Sequence, residues 1–146
     1  MKNKVGKLDI IALPLIAVAI LFDQLTKYWA KTYIKVDPIT VVKGVFELRY
    51  LENRGAAFGI LQNQQWMFLI IGVILMLVMT YVYLQLPTIK RFIPLKLCLL
   101  LIVAGAIGNM IDRVMLNYVI DFLHVSLINF PIFNVADIFV SCSTMY

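Results

Sequence analysis

Apolar runs close to the length that crosses a bilayer constrain this chain more than any other feature. They cover about residues 9–29, 66–86 and 95–115, and a fourth begins near Ile132. A hydrocarbon core of ~30 Å needs about 20 apolar residues in a helix that rises 1.5 Å per residue. Backbone amides find no water there, so such runs fold as helices. With 62% hydrophobic residues and a mean hydropathy of +0.91, the 146 residues lie outside the range of soluble globular proteins. The expected fold is mainly α, a polytopic membrane protein with a single domain over residues 1–146. It has four transmembrane helices and a small outer β module between the first and second spans. The last run, 132–146, holds only fifteen residues, short of the roughly 20 a crossing needs, so the fourth helix is expected to be truncated.

Basic residues set the topology. The formal charge of +5 falls in short clusters beside apolar runs rather than in one patch, which argues against nucleic acid as a partner and for membrane lipid. Lys2, Lys4 and Lys7 precede the first span, and Lys90, Arg91 and Lys96 mark the link between the second and third. The positive-inside rule then puts the N-terminus and the 87–96 link in the cytoplasm. The 31–65 module and the 116–132 loop face outward. A charged start followed by an apolar run also imitates a secretory signal peptide. The bulky, polar Asp23-Gln24-Leu25-Thr26-Lys27-Tyr28-Trp29 occupies the place where cleavage needs small residues, so the first span is read as uncleaved.

Residues 31–65 carry mixed charge and β-favouring side chains. Alternation in Val45-Phe46-Glu47-Leu48-Arg49-Tyr50 predicts a strand, and Asn53-Arg54-Gly55 supplies turn chemistry before Ala56-Ala57-Phe58-Gly59. Cys98 and Cys142 lie in apolar segments and, with the single His124, match no zinc spacing. Neither a disulfide, a metal nor another cofactor is expected.

Acids are the anomaly. Asp112, Asp121 and Asp137 stand in or beside membrane sequence, where a carboxylate is costly unless paired, hydrated or protonated. Helix rise carries Asp112 up the third span to the depth of Asp137 in the fourth, with Asp121 in the outer loop between them and Asp23 at the same level on the first span. Two close carboxylates in a poorly solvated site share one proton. That state suits an aspartic peptidase, in which the charged carboxylate takes a proton from water and the neutral one polarises the scissile carbonyl and later protonates the leaving amine. Asp121 and Asp137, one on a loop and one at a helix start, form the expected pair. Arg113 could neutralise charge or bind a carbonyl, while Asn109 and Asn134 could hydrogen-bond without adding charge.

Structural readings stand beside these. Asp23 could pair with Lys27 at i+4, and Asp112 with the adjacent Arg113. Asn53, Arg54 and Gly55 could form only a turn, and Gly105 and Gly108 could serve close helix packing. No GxSxG, GxGxxG or P-loop pattern is present.

The ordered pieces Asp23-Gln24-Leu25-Thr26-Lys27, Glu52-Asn53-Arg54-Gly55-Ala56-Ala57-Phe58, Gly108-Asn109-Met110-Ile111-Asp112-Arg113, Val119-Ile120-Asp121-Phe122 and Phe133-Asn134-Val135-Ala136-Asp137 resemble the bacterial lipoprotein signal peptidase family, also called signal peptidase II. The resemblance implies an inner-membrane aspartic endopeptidase. Its substrates would be diacylglyceryl-modified prolipoproteins, cut immediately before the modified cysteine. Asp121 and Asp137 match the family's catalytic dyad. Asn53, Asn109, Arg113 and Asn134 match positions that line the site and hold substrate, Asp23 matches a supporting acid, and Gly55, Asp112 and Ala136 fall within the matching motifs. The 31–65 module would be the family's β-cradle and lid. A monomer is expected, with its site near the outer leaflet. Read from the acids alone, a small proton-coupled transporter or channel subunit and a non-catalytic scaffold remain open.

Overall fold

The computed structural model describes residues 6–55, 64–128 and 130–146, so the Ala56–Gly59 segment that follows the expected turn lies outside the described residues. Helix α1 covers Lys7–Tyr33, α2 Gln65–Gln85, α3 Ile93–Leu116 and α4 Val135–Thr144. The first three are long and apolar enough to cross a membrane. Their bounds bracket the expected spans to within a few residues at each end.

Helix α3 is the centre of the bundle and packs against α1, α2 and α4. Small residues make this possible: Ala104, Gly105, Ala106 and Gly108 are buried along it. A Cβ on Gly105 would come within 2.5 Å of the Ala136 carbonyl oxygen, and one on Gly108 within 2.5 Å of Asp23 Oδ2. The two glycines therefore serve close packing, of α4 and α1 respectively. Asn117 ends α3 in the left-handed region at φ 63°, with its amide bonded to the Arg113 carbonyl, a conformation asparagine tolerates better than most residues.

Along α1 the buried residues Leu8, Ala12, Ala19, Asp23, Lys27 and Ala30 recur at helical spacing and form one stripe facing the bundle. Leu8, Ala12, Tyr83, Leu99 and Leu100 make one apolar cluster. Ala30, Ile34, Ile120, Phe122 and Val135 make another. Asp23 and Lys27 fall on the stripe between the two, where buried polar side chains collect.

Strands β1 (Ile39–Val42), β2 (Phe46–Asn53) and β3 (Val119–Val125) form an antiparallel sheet in the order β1-β2-β3. Gly44, at φ +73°, supplies the positive φ that the β1–β2 turn requires. The sheet is the expected β module with one correction. Its third strand comes from the segment after α3, so Asp121 stands on a strand rather than a loop. The heptad Val119-Ile120-Asp121-Phe122-Leu123-His124-Val125 does not alternate because both faces are covered at its start, and a strand buried on both sides loses its period-2 signal.

Candidate active site

One extra residue in β2 sets the site's geometry. The β2–β3 register passes from Leu48 opposite Leu123 to Leu51 opposite Asp121. Three steps on β2 thus match two on β3, which defines a bulge. Beyond it, Asn53 pairs with Val119, two residues from Asp121, so Asn53 and Asp121 share a face. An unbulged ladder would put them on opposite faces, because side chains alternate. The result is a 2.8 Å hydrogen bond from Asn53 Nδ2 to Asp121 Oδ2. The Asn53 Oδ1 atom accepts from the Gly55 amide at 3.0 Å, so the turn reading of Asn53-Arg54-Gly55 and its contact with Asp121 both hold.

After β3 the chain returns along its free edge. Phe133 exchanges backbone hydrogen bonds with Leu123 at 2.8 and 3.0 Å, which delivers Asn134 beside Asp121. Asn134 is the N-cap of α4, and its side chain accepts from the Asp137 amide at 3.0 Å. Asp137 Oδ2 accepts in turn from the Asn134 amide at 3.1 Å. This capping box orients Asp137. The Asn134 Nδ2 group donates to Asp121 Oδ1 at 2.6 Å and to Asn109 Oδ1 at 3.1 Å, and Asn109 Nδ2 donates to Asp137 Oδ1 at 2.8 Å. Both carboxylates are thus held by neutral amide donors. Among the described residues neither forms an ion pair.

The other two acids are neutralised. Lys27 Nζ lies 2.9 Å from Asp23 Oδ2 and 3.1 Å from Asp112 Oδ2, and all three side chains are buried. The expected i+4 pair of Asp23 and Lys27 is present. The expected pairing of Asp112 with Arg113 is corrected: neighbours in a helix point about 100° apart, and Asp112 turns inward to Lys27, Gln24 Nε2 at 3.0 Å and the Ile120 amide at 3.0 Å. Arg113 instead donates to the Asn109 carbonyl at 3.2 Å and lies 4.8 Å from the Phe68 ring centroid. Ala136 contributes through its backbone, donating to Asp23 Oδ1 at 2.9 Å. All ten expected site residues therefore lie in one network or on its rim. Gln24 and Lys27 also belong to this network, though the sequence marks neither as a site residue; for Lys27 the signal is its i+4 spacing from Asp23, which by itself indicates only an ion pair.

A cavity of about 430 Å³ is lined by Asp121 and Asp137, by Asn53, Asn109 and Arg113, and by the Phe130–Phe133 segment. A smaller cleft of about 200 Å³ shares Asn109, Arg113 and Asp137 and is lined between α2, α3 and α4 by Phe68, Gly72 and Leu75. Burial, followed by the charge of Asp137, pushes the Asp121 carboxyl up to about 7. Among the described residues no group of His, Cys, Asp and Glu is arranged to hold a metal ion.

The family model described as signal peptidase (SPase) II matches residues 15–146. The chain belongs to the signal peptidase II family. This is a family of aspartic peptidases, and membership in it leaves the transporter and scaffold readings without support. The chain is similar to the lipoprotein signal peptidase of Clostridioides difficile (strain 630), with 41% identity over 90% of this chain and 88% of that one. It is similar also to the lipoprotein signal peptidase of Streptococcus pyogenes serotype M5 (strain Manfredo), with 43% identity over 94% and 86%. A solved structure described as a bacterial membrane enzyme obtained by the in meso method at 2.3 Å superposes with a TM-score of 0.85 at 29% identity, covering 99% of this chain and 88% of its own. A second, at 1.9 Å, gives a TM-score of 0.82 at 29% identity, covering 99% and 93%. This signal peptidase II family member is a multi-pass bacterial membrane protein.

Proposed function

We propose that this protein hydrolyses prolipoproteins immediately before a diacylglyceryl-modified cysteine, with Asp121 and Asp137 as the catalytic dyad. The observation that carries the reading is that these two carboxylates share one cavity and, among the described residues, are hydrogen-bonded by amides and ion-paired by none, whereas the nearby Asp23 and Asp112 are neutralised by Lys27. Two close buried carboxylates with no cation in direct contact among the described residues retain one proton between them. Asp121 holds that proton. Asp137, in the first turn of α4, carries the charge where the helix amides stabilise it.

Hydrolysis then follows from proton positions. Asp137 takes a proton from water as the water oxygen attacks the scissile carbonyl carbon, and Asp121 gives its proton to the carbonyl oxygen. On breakdown Asp137 protonates the departing amine and Asp121 recovers its proton from the hydroxyl. Asn53, Asn109 and Asn134 hold the carboxylates, and Arg113 faces the cavity as a donor to substrate carbonyls.

The substrate is itself anchored in lipid. The cleft between α2, α3 and α4 meets Asp137 at one end and is apolar beyond it, so acyl chains or the signal helix can remain in hydrocarbon while the peptide bond reaches the dyad. Each buried methylene favours a lipidated substrate by ~0.8 kcal/mol. The N-terminus faces the cytoplasm, the sheet and cavity lie at the outer leaflet of the bacterial inner membrane, and one chain supplies the whole site as a monomer. Cleavage of matched precursors with and without the diacylglyceryl group tests the reading: turnover should require the lipid, and equal turnover of both would refute it.

A further inference from the structure

We propose that Lys27 is a positioning residue for the hydrolysis, acting on Asp137 through the amide of Asn109. The inference rests on the dyad reading above and adds a residue to it. The Lys27 ammonium donates to Asn109 Oδ1 at 3.0 Å, and Asn109 Nδ2 donates to Asp137 Oδ1 at 2.8 Å. A carboxamide has one accepting end and one donating end. An ammonium has only donors, so it fixes the oxygen of Asn109 toward itself and leaves the Nδ2 group committed to Asp137. With Asn109 reversed, its Nδ2 would face the Lys27 and Asn134 donors, and its oxygen would face a carboxylate oxygen. Both contacts would be repulsive.

Lys27 is itself held without slack. It is 1% exposed, with Asp23 on its own helix and Asp112 on α3 on either side of its ammonium. Those acids are in turn pinned by the Ala136 amide at 2.9 Å and the Ile120 amide at 3.0 Å, which belong to the segments carrying Asp137 and Asp121. The Lys27 group therefore registers α1 and α3 against α4 and β3, and passes that register to one reacting carboxylate through one amide. Neutralising Asp23 and Asp112 would not require the third contact. That third contact makes Lys27 more than a counterion.

The test separates positioning from charge balance. Lys27→Met leaves two buried acids uncompensated, whereas Lys27→Met with Asp112→Asn keeps the net charge of the Asp23, Lys27 and Asp112 group at its original value. Purified in detergent and shown to be folded by its thermal unfolding midpoint, this charge-balanced variant should lose about a hundredfold in kcat on a lipidated precursor with KM changed less than threefold. In an Asn109→Ala background the same pair of changes should add less than threefold to the loss, because the relay is already cut. A charge-balanced variant within threefold of the parent kcat, or a loss that repeats in full in the Asn109→Ala background, would overturn the proposal. If the charge-balanced variant does not fold, Lys27→Arg decides. It keeps the charge and a donor for Asn109 Oδ1, so kcat should stay within tenfold of the parent, and a hundredfold loss with a normal unfolding midpoint would contradict the relay. Failure of the dyad reading is distinguishable, since it would appear as activity retained by Asp121→Asn or Asp137→Asn.

Discussion

Asn134 and Asp137 cap each other. The Asn134 side chain accepts from the Asp137 amide at 3.0 Å, and the Asp137 carboxylate accepts from the Asn134 amide at 3.1 Å. The same Asn134 side chain donates to Asp121 at 2.6 Å, so one residue starts α4 and fixes both acids. Replacing Asn134 with Ala removes the cap, worth about 1 kcal/mol, together with the link to Asp121. The variant should show a small drop in unfolding midpoint and a much larger fall in kcat, read by thermal unfolding and precursor cleavage on the same sample. Proportionate losses would assign Asn134 a structural role only.

The Asp121 carboxyl is pushed up to about 7 by burial and by the Asp137 charge, against about 3.9 for an unfolded aspartate. Between those values the folded protein binds more protons than the unfolded one, so this group's contribution to stability falls as pH rises from about 4 to about 7 and is flat above. With Asp121 and Asp137 as the proposed dyad, activity follows its singly protonated state, so kcat/KM should fall as pH rises through about 7. Measured at constant ionic strength, the parent should show both slopes. The Asp121→Asn variant should lack the stability slope.

Gly108 faces Asp23 across the α1–α3 contact, and a Cβ there would lie 2.5 Å from Asp23 Oδ2. Gly108→Ala should displace Asp23 from Lys27 and from the Ala136 amide. The expected outcome is a lower unfolding midpoint and at least a tenfold loss in kcat. An unchanged kcat would mean that Asp23 does not influence the dyad.

At the other end of the bundle Asp9 accepts from the Gly6 amide, Tyr83 Oη, Thr88 Oγ1 and Lys96 Nζ, each at 2.8 Å. These contacts tie α1 to the end of α2, the 87–92 link and α3, far from the cavity. Lys96 is 3% exposed, so Asp9→Ala leaves a buried ammonium without its partner. A buried ion pair broken on one side costs about 3–5 kcal/mol. With Asp9 itself still 22% exposed, a loss of about 2 kcal/mol is expected. Cleavage per folded molecule should not change.

The spans were legible because apolar length alone determines them, and helix rise pointed to the meeting of Asp23, Asp112, Asp121 and Asp137, which the structure joins in one hydrogen-bond network. What the sequence hid was non-local. Arg113 was the obvious partner for Asp112 in the chain, yet the helix turns the two apart and Lys27 reaches Asp112 from another span. The β3 strand had no alternation to reveal it, being covered on both faces around Asp121. Nor does any residue type mark the bulge in β2 that places Asn53 and Asp121 on one face, because a bulge is a count of residues between two strands that the sequence separates widely.

The most direct test of the central claim is cleavage of a diacylglyceryl-modified precursor by Asp121→Asn and Asp137→Asn, each purified in detergent and checked for an intact unfolding transition. Removing either half of a proton-sharing pair should lower kcat by about 10³-fold or more. Turnover by either folded variant at the parent rate would contradict the dyad.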